Sequence, residues 1–340
     1  MRTPLFILKY IHYEYWPMWL FYLPVLPYWL YLAVKHRSLT YFTVANPGIE
    51  LGGFFGESKS DILQLINPHY LPKAITINNL SVETIIVLIQ QNNMNYPLIA
   101  KPDVGERGND VCKINNETEL IQYHNNTTLK YILQEFITYD IELGVLYSRL
   151  PNDTKGMVTS VTLKEFLTVT GNGVNTIKEL MQQSTRARFQ IARLSISMGT
   201  EIHEVLPNGL TKLLEPIGNH CRGTGFINAN HLITPELNQV FDKISVPITG
   251  FNYGRFDLKV KSIPDLYAGN TIKIMELNGA SSEPGHIYDA SQSSLLQAYT
   301  DLCAHWRHLA DVSAQHISAG LKPVAFSVIV RSYLTFARKG

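Results

Sequence analysis

Two short stretches near the C-terminal end constrain this chain most: Gly254-Arg255-Phe256-Asp257-Leu258-Lys259 and Ile274-Met275-Glu276-Leu277-Asn278-Gly279. Each reads as a β-strand, and Pro264, Gly269 and Asn270 between them suit a hairpin connection. Side chains two apart in a strand point to one face. Arg255 and Asp257 therefore share a face, as do Glu276 and Asn278. If the strands pair, two carboxylates, an amide oxygen and a guanidinium converge on one patch of sheet. Oxygen donors of this kind suit Mg²⁺, which commonly takes one or two carboxylates plus substrate phosphates. Carboxylates buried in a sheet with neither metal nor cation would be costly. The competing reading is a solvated cross-strand ion pair, with Glu276 as an edge charge. Against it, residues 276–289 turn small and polar directly after an apolar strand, as a functional loop on a rigid sheet does.

With 340 residues the chain has room for two or three compact domains. Its 29 Lys and Arg against 28 Asp and Glu leave a net charge of +1, so no bulk attraction to nucleic acid is expected. Cys112, Cys221 and Cys303 are odd in number and widely spaced, which gives no disulfide framework and no zinc motif. A reducing compartment is the natural expectation. Cys221 follows His220, but adjacency in sequence does not make a catalytic pair, and a structural cysteine is expected there.

The N-terminus is unusual. Residues 15–34 carry no charge and are rich in Trp and Tyr. That length could span a bilayer as a helix. Pro17, Pro24 and Pro27 would kink it, which lipid-embedded helices tolerate, and the aromatic content fits the membrane interface. Lys35-His36-Arg37 follows with no small-residue cleavage site, so a cleaved signal peptide is not expected. A re-entrant or interfacial segment is one alternative to a span. An aromatic hairpin packed on the protein's own core, or on a second subunit, is another. The C-terminal tail mixes Val324, Phe326, Val328, Ile329, Val330, Leu334 and Phe336 with Arg331, Arg338 and Lys339. It reads as a basic apolar helix, either lying on an anionic membrane or packed with solvated ends.

Between these ends the patterns alternate. Helices are expected from Lys59 to Leu65, over 82–91 with Ser81 as N-cap, from Asn116 or Thr118 to about His124, as a pair over 176–196, near 236–244, and from Ser293 to Val312. Strands are expected at 98–101, 111–114, 130–136, 142–148 and, as one long alternating stretch, 156–170. The mix is α+β with largely antiparallel sheets. Lys101 ends a strand directly before a loop that contains Gly105 and Gly108. Glycines let backbone N–H groups approach an anion, and a nearby lysine supplies a point charge for phosphate oxygens. No Gly-Lys-Ser/Thr follows, so this is not a P-loop, and alone it would pass for an ordinary hairpin.

In order and spacing these motifs resemble the ATP-grasp superfamily, in particular carboxylate–amine ligases of the D-alanine–D-alanine ligase type, over roughly residues 57–310. Glu276-x-Asn278 with Pro284-Gly285 resembles the family's metal-binding strand and substrate loop, and Arg255-x-Asp257 its preceding strand. The resemblance implies an ATP-grasp fold, with nucleotide between two antiparallel-sheet subdomains. It implies Mg²⁺ (two ions, with Mn²⁺ as a substitute) on Asp257, Glu276 and Asn278, with Glu276 bridging. Arg255 would stabilise the acyl phosphate and the transferring phosphoryl group. Lys101 would contact the nucleotide phosphates under the Gly105–Gly108 loop, and Lys59 resembles the second nucleotide lysine. Gln134, Glu135, Phe136 and Ile137 look like the hinge that meets adenine, and Glu142 like the carboxylate that takes the ribose hydroxyls.

The implied organisation is an aromatic N-terminal segment (1–56), a lid subdomain (57–137), a catalytic subdomain (138–312) and a basic apolar tail (313–340). The family's N-terminal α/β domain is missing or reduced, so substrate identity does not carry over. The polar stretches 164–173 and 220–223 are candidate substrate contacts, or for His220 and Arg222 a solvated loop. The implied activity is an ATP-dependent ligase that joins a carboxylate to an amine, or to a thiol, through an acyl phosphate. The alternatives are an ATP-grasp small-molecule kinase and a non-catalytic nucleotide-binding protein. Expected partners are small-molecule or lipid-linked carboxylates and amines, and no nucleic acid. A membrane surface and a second copy of the chain are further candidates. The expected location is the cytoplasm, including the inner face of a membrane.

Overall fold

The computed structural model describes residues 3–105 and 108–337. Glu106 and Arg107 of the glycine loop, and Arg338 and Lys339 of the tail, lie outside the described residues, as does the Phe336 side chain.

The apolar N-terminal run forms no single helix. It breaks into α1 (Leu5–Ile11), α2 (Met18–Tyr22) and α3 (Leu26–Lys35), because Pro17 caps α2 and Pro27 occupies the first turn of α3. No described helix is long and apolar enough to cross a membrane. The segment packs inward through Phe21, whose ring packs at a tilt against Tyr288 and Tyr299, and through Leu32 and Ala33, which join a core with Tyr41, Phe42 and Leu309. Of the sequence alternatives, packing on the protein's own core describes its inner face.

Next come α4 (Lys59–Gln64), β1 (Ala74–Ile77), α5 (Val82–Gln91), β2 (Leu98–Pro102), β3 (Cys112–Ile114), α6 (Glu117–Asn126) and β4 (Tyr131–Glu135). Ser58, Ser81 and Asn116 start the three helices by accepting a backbone N–H three residues on. The strands form an antiparallel sheet in the order β1-β4-β2-β3, with Ile85, Ile89 and Leu120 of the helices in its core.

A second antiparallel sheet holds the larger core. Its strands are β5 (Ile141–Ser148) and β6 (Met157–Glu165). The chain then leaves this sheet for a small ribbon of β7 (Thr168–Thr170) and β8 (Thr211–Leu213), with α7 (Ile177–Gln183), α8 (Thr185–Arg188) and α9 (Ile191–Met198) between them. It returns through β9 (Gly225–Asn228), α10 (Pro235–Ser245), β10 (Tyr253–Val260), α11 (Ile263–Ala268) and β11 (Lys273–Asn278), giving the order β11-β10-β5-β6-β9. The long helix α12 (Leu295–Ser318) and the tail helix α13 (Phe326–Ala337) close the chain. The structure is α+β with two larger antiparallel sheets, as the motifs implied, and the small β7–β8 ribbon besides.

Three expectations change. The stretch 156–170 is two strands in different sheets. Leu167 enters a separate core with Ile177 and Leu194, and its carbonyl accepts the Leu214 N–H at 2.8 Å. Alternation fixes which face a residue takes, not which strand lies beside it. Residues 176–196 hold three short helices, because Ser184 caps a new one mid-run. The link between β10 and β11 is a short helix and not a simple hairpin. Ser262 Oγ caps it from the Asp265 N–H, Pro264 sits in its first turn, and Gly269 at φ +72° ends it in the left-handed region.

Candidate active site

β10 pairs with β11 so that Arg255 lies opposite Asn278 and Asp257 opposite Glu276. On the other side β10 pairs with β5, where Gly144 faces Asp257 and Glu142 faces Lys259. Phe256, Leu258, Leu143, Val145 and Leu277 point the other way into the main core. One face of this sheet is therefore packed and the opposite face is charged. Gly144 leaves room there, since a Cβ in its place would sit 3.2 Å from Asp257 Oδ1 and 3.3 Å from Arg255 Cδ.

The charges are buried and paired. Arg255 Nε donates to Asp257 Oδ1 at 3.0 Å, and Arg255 Nη1 donates to the Glu283 carbonyl at 3.1 Å. Lys164 of β6 lies between two carboxylates, 3.0 Å from Glu142 Oε1 and 3.6 Å from Asp257 Oδ2. Burial alone would raise the Asp257 carboxyl, but Arg255 and Lys164 outweigh it and hold the group below the ordinary carboxylate range. Burial likewise works against the Lys164 ammonium, and Asp257 and Glu142 reverse it, so this lysine titrates above its ordinary value. Glu142 also lies 3.7 Å from Lys259, whose Nζ donates to the Ile137 carbonyl at 3.1 Å. The solvated-pair reading of Arg255 and Asp257 does not hold, because Asp257 is only 6% exposed.

Two lysines reach this charged face, one from the first sheet and one from α4. Lys101, at the end of β2, is buried and donates to Gln134 Oε1 at 3.1 Å and to the Met275 carbonyl of β11 at 2.8 Å. Burial, with a smaller contribution from Lys59, depresses its pKa to about 8. Lys59, at the start of α4, donates to the Gly105 carbonyl and approaches Glu276 Oε1 at 3.7 Å. Asp103 fixes that start of α4 to the glycine loop by accepting the Ser60 N–H at 2.7 Å and the Ser58 hydroxyl at 2.8 Å. From the other side Arg222 Nη2 reaches the Gly108 carbonyl at 2.7 Å. Lys59 and Lys101 thus lie on the Glu276 side of β11, with Lys59 tied to the Gly105 carbonyl.

The expected hinge is the crossing from β4 to β5. Gln134 Nε2 is buried there with no hydrogen-bond partner, an unsatisfied donor that a ligand acceptor would complete. The Phe136 ring lies between Lys113 Nζ at 4.5 Å and Lys259 Nζ at 5.5 Å. Glu135 Oε2 accepts the Lys73 N–H at 3.3 Å, at the far end of the strand from Lys101. Glu142, expected at the ribose, is buried under the loop 215–223. A Cβ on Gly218 would lie 2.1 Å from its Oε1.

For a hard divalent cation the donor set fits. Asp257, Glu276 and Asn278 offer two carboxylates and an amide oxygen from facing strand positions, and the Glu276 side chain is 34% exposed. Among the described residues no cluster of three or more His, Cys, Asp or Glu side chains forms a metal cage, so substrate oxygens would have to complete the shell.

Sequence reasoning grouped Lys164, His220 and Arg222 only as candidate substrate contacts and gave Glu283 no role. Lys164 follows Ser160 and Thr162 on one face of β6, a polar run that could have marked it. Glu283 accepts from the Tyr288 hydroxyl at 2.7 Å, and burial lifts its carboxyl to about 7. The His220 ring packs near Tyr288 and Phe226, and burial depresses it to about 4. Arg222, also 3.7 Å from buried Glu215, is a latch to the glycine loop and not a solvated side chain.

No protein-family model matches the chain, and no curated protein does. Solved structures similar to it include a bifunctional glutathione synthetase from Pasteurella multocida (14% identity, TM-score 0.37, covering 72% of this chain and 35% of that one). A VanG D-Ala:D-Ser ligase from Enterococcus faecalis matches at 17% identity and TM-score 0.41, over 73% of this chain and 61% of that one. D-alanine–D-alanine ligase from Bacillus anthracis, complexed with ATP, matches at 14% identity and TM-score 0.39, over 74% and 67%. This chain thus spans between about one third and two thirds of their length. Similarity this low says nothing about activity or substrate. The topology and the site geometry stand on their own: the four-stranded sheet reaches the five-stranded one through Lys101 at the end of β2, whose Nζ donates to the Met275 carbonyl, while Lys59 at the start of α4 approaches Glu276 of the carboxylate pair.

Proposed function

We propose that the chain is an ATP-dependent ligase that joins a carboxylate to an amine through an acyl phosphate, with residues 57–137 as lid and 138–312 as catalytic body. The observation that carries this reading is the register that sets Asp257 against Glu276 and Arg255 against Asn278, directly beneath Lys59 and Lys101. Mg²⁺ on Asp257, Glu276 and Asn278 would supply charge neutralisation for the nucleotide phosphates when bound.

The chain's own residues then have defined tasks. Lys101 and Lys59 hold phosphate oxygens under the Gly105–Gly108 loop, and Gln134 Nε2 takes an acceptor on the nucleotide. A carboxylate oxygen attacks the γ-phosphorus, the bond to the β–γ bridging oxygen breaks, and ADP leaves. Arg255 faces the charge that develops on the transferred group. The amine then attacks the acyl carbon, phosphate departs, and the amine's proton needs an acceptor. Glu283, with its carboxyl near neutrality and hydrogen-bonded to Tyr288, is placed for that role. Phe21 packs on Tyr288, with ring centroids 5.5 Å apart, so the aromatic N-terminal segment backs the acceptor side. That wall favours an amphiphilic substrate.

The test is ATP turnover by purified protein with Mg²⁺ against pools of carboxylates and amines. Turnover that needs both an acid and an amine supports the reading, and turnover that needs only one contradicts it. A pH dependence follows from Lys101. Bound phosphates raise its pKa, so the free protein must take up a proton to bind once the pH exceeds about 8. ATP affinity is therefore flat below about pH 8 and falls up to about tenfold per unit above it. Calorimetric titrations across pH check this, and Lys101→Met should remove the dependence.

A further inference from the structure

The terminal helices bury one side and leave the other apolar side uncovered. α3 sets Leu32 and Ala33 into the core with Tyr41 and Leu309, and turns Leu26, Leu30 and Val34 outward at four-residue spacing. α13 buries Ile329 in the same cluster and leaves Phe326, Val330 and Leu334 exposed at the same spacing. The Trp19 ring before α3 is 65% exposed, and Tyr31 and Tyr333 are 58% and 57% exposed.

We infer that this two-helix face docks on an anionic lipid surface. Charge distribution selects that occupant. Residues 1–40 and 319–340 together carry eight Lys or Arg and one acid, Glu14, whereas the rest of the chain is net negative. Glu14 is turned inward and paired with Arg186 at 3.0 Å. Among the described residues, exposed cations follow the apolar stripe of α3: Lys35 is its last residue and Arg37 lies two residues beyond. Such a face suits the boundary between acyl chains and anionic headgroups. Exposed Trp and Tyr rings also prefer that depth. A second copy fits poorly, because a two-fold contact puts the same patch on itself and would oppose cations with cations. α3 has 10 residues, about 15 Å of helix, so it lies in the surface and does not cross it. The inference stands apart from the ligase reading.

The experiment is sedimentation of the full-length protein with vesicles of phosphatidylcholine alone and of phosphatidylcholine mixed with phosphatidylglycerol. Binding to the mixed vesicles, weakened by added salt, is expected. Leu30→Glu with Val34→Glu should lower partitioning at least about tenfold. Lys35→Glu with Arg37→Glu should lower it about tenfold or more on the anionic vesicles. The charge pair is exposed and keeps the test decisive if the apolar pair fails to fold. Protein that stays in the supernatant with mixed vesicles overturns the inference, as does a charge variant that binds like wild type. A dimer seen by light scattering and dissociated by Leu30→Glu would assign the face to a second copy and overturn it too.

Discussion

Glu276→Gln lowers Mg²⁺-dependent ATP turnover by about 10³-fold, several kcal/mol of transition-state stabilisation, with no change in the thermal melt. The substitution keeps shape and volume and removes one negative charge. The Glu276 side chain is 34% exposed and its cation is 3.7 Å away, so its worth to the fold is small. Under the proposed metal assignment its position opposite Asp257 gives it a different value, because the cation would draw on both carboxylates. Steady-state ADP release and calorimetry separate the two roles. If Glu276 were an edge charge, turnover would persist, and that result would sink the metal assignment. ATP binding measured without Mg²⁺ should change little in the variant, which distinguishes a lost metal ligand from a collapsed site.

Lys164→Met destabilises the protein by about 3–5 kcal/mol. The ammonium is the shared partner of Glu142 and Asp257, both under 10% exposed. Removing it strands Glu142 with Lys259 at 3.7 Å and leaves Asp257 to Arg255 alone. Denaturant unfolding should show the loss at neutral pH. The pH dependence has a definite sign on each side. Asp257 titrates below its unfolded value, so its stabilisation is present above about pH 4 and is lost as the pH falls through the folded value. Lys164 titrates above its unfolded value, so its share is present below about pH 10 and is lost as the pH rises through the folded value. Wild type and variant should therefore converge in acid. Adding Glu142→Gln to Lys164→Met should recover part of the loss, because one of the two stranded carboxylates is gone. Equal stability of Lys164→Met and wild type would mean the carboxylates are solvated, contrary to the burial described above.

What was legible in the sequence was local. Period-two alternation through Arg255, Asp257 and Lys259 fixed one charged face, and Ser81 and Asn116 marked helix starts because their side chains satisfy the first backbone donors. The Glu276–Asn278 spacing placed both on that face because side-chain direction in a strand depends only on parity. What was not legible depends on partners distant in sequence. Lys164 reads only as the start of a polar stretch, a candidate substrate contact, until β6 is set beside β5 and it becomes the partner of Glu142 and Asp257. Residues 74–77, 211–213 and 225–228 are too short and mixed to declare themselves, and become strands only because β4, β7 and β6 offer free edges. The N-terminal run shows hydrophobicity plainly, yet only packing on Tyr288, Tyr299 and Leu309 decides which of its residues face inward.

The most direct test of the central claim is oxygen transfer. Once an acid is identified by turnover, it is supplied with ¹⁸O in its carboxylate, together with ATP, Mg²⁺ and the amine, and the products are weighed. The account predicts one ¹⁸O in the released phosphate and an organic product whose mass equals the condensation of acid and amine, since the attacking carboxylate oxygen leaves with the phosphoryl group. Phosphate without label, or a stable phosphorylated substrate in place of the amide, would contradict it and leave the chain a phosphotransferase on the same fold.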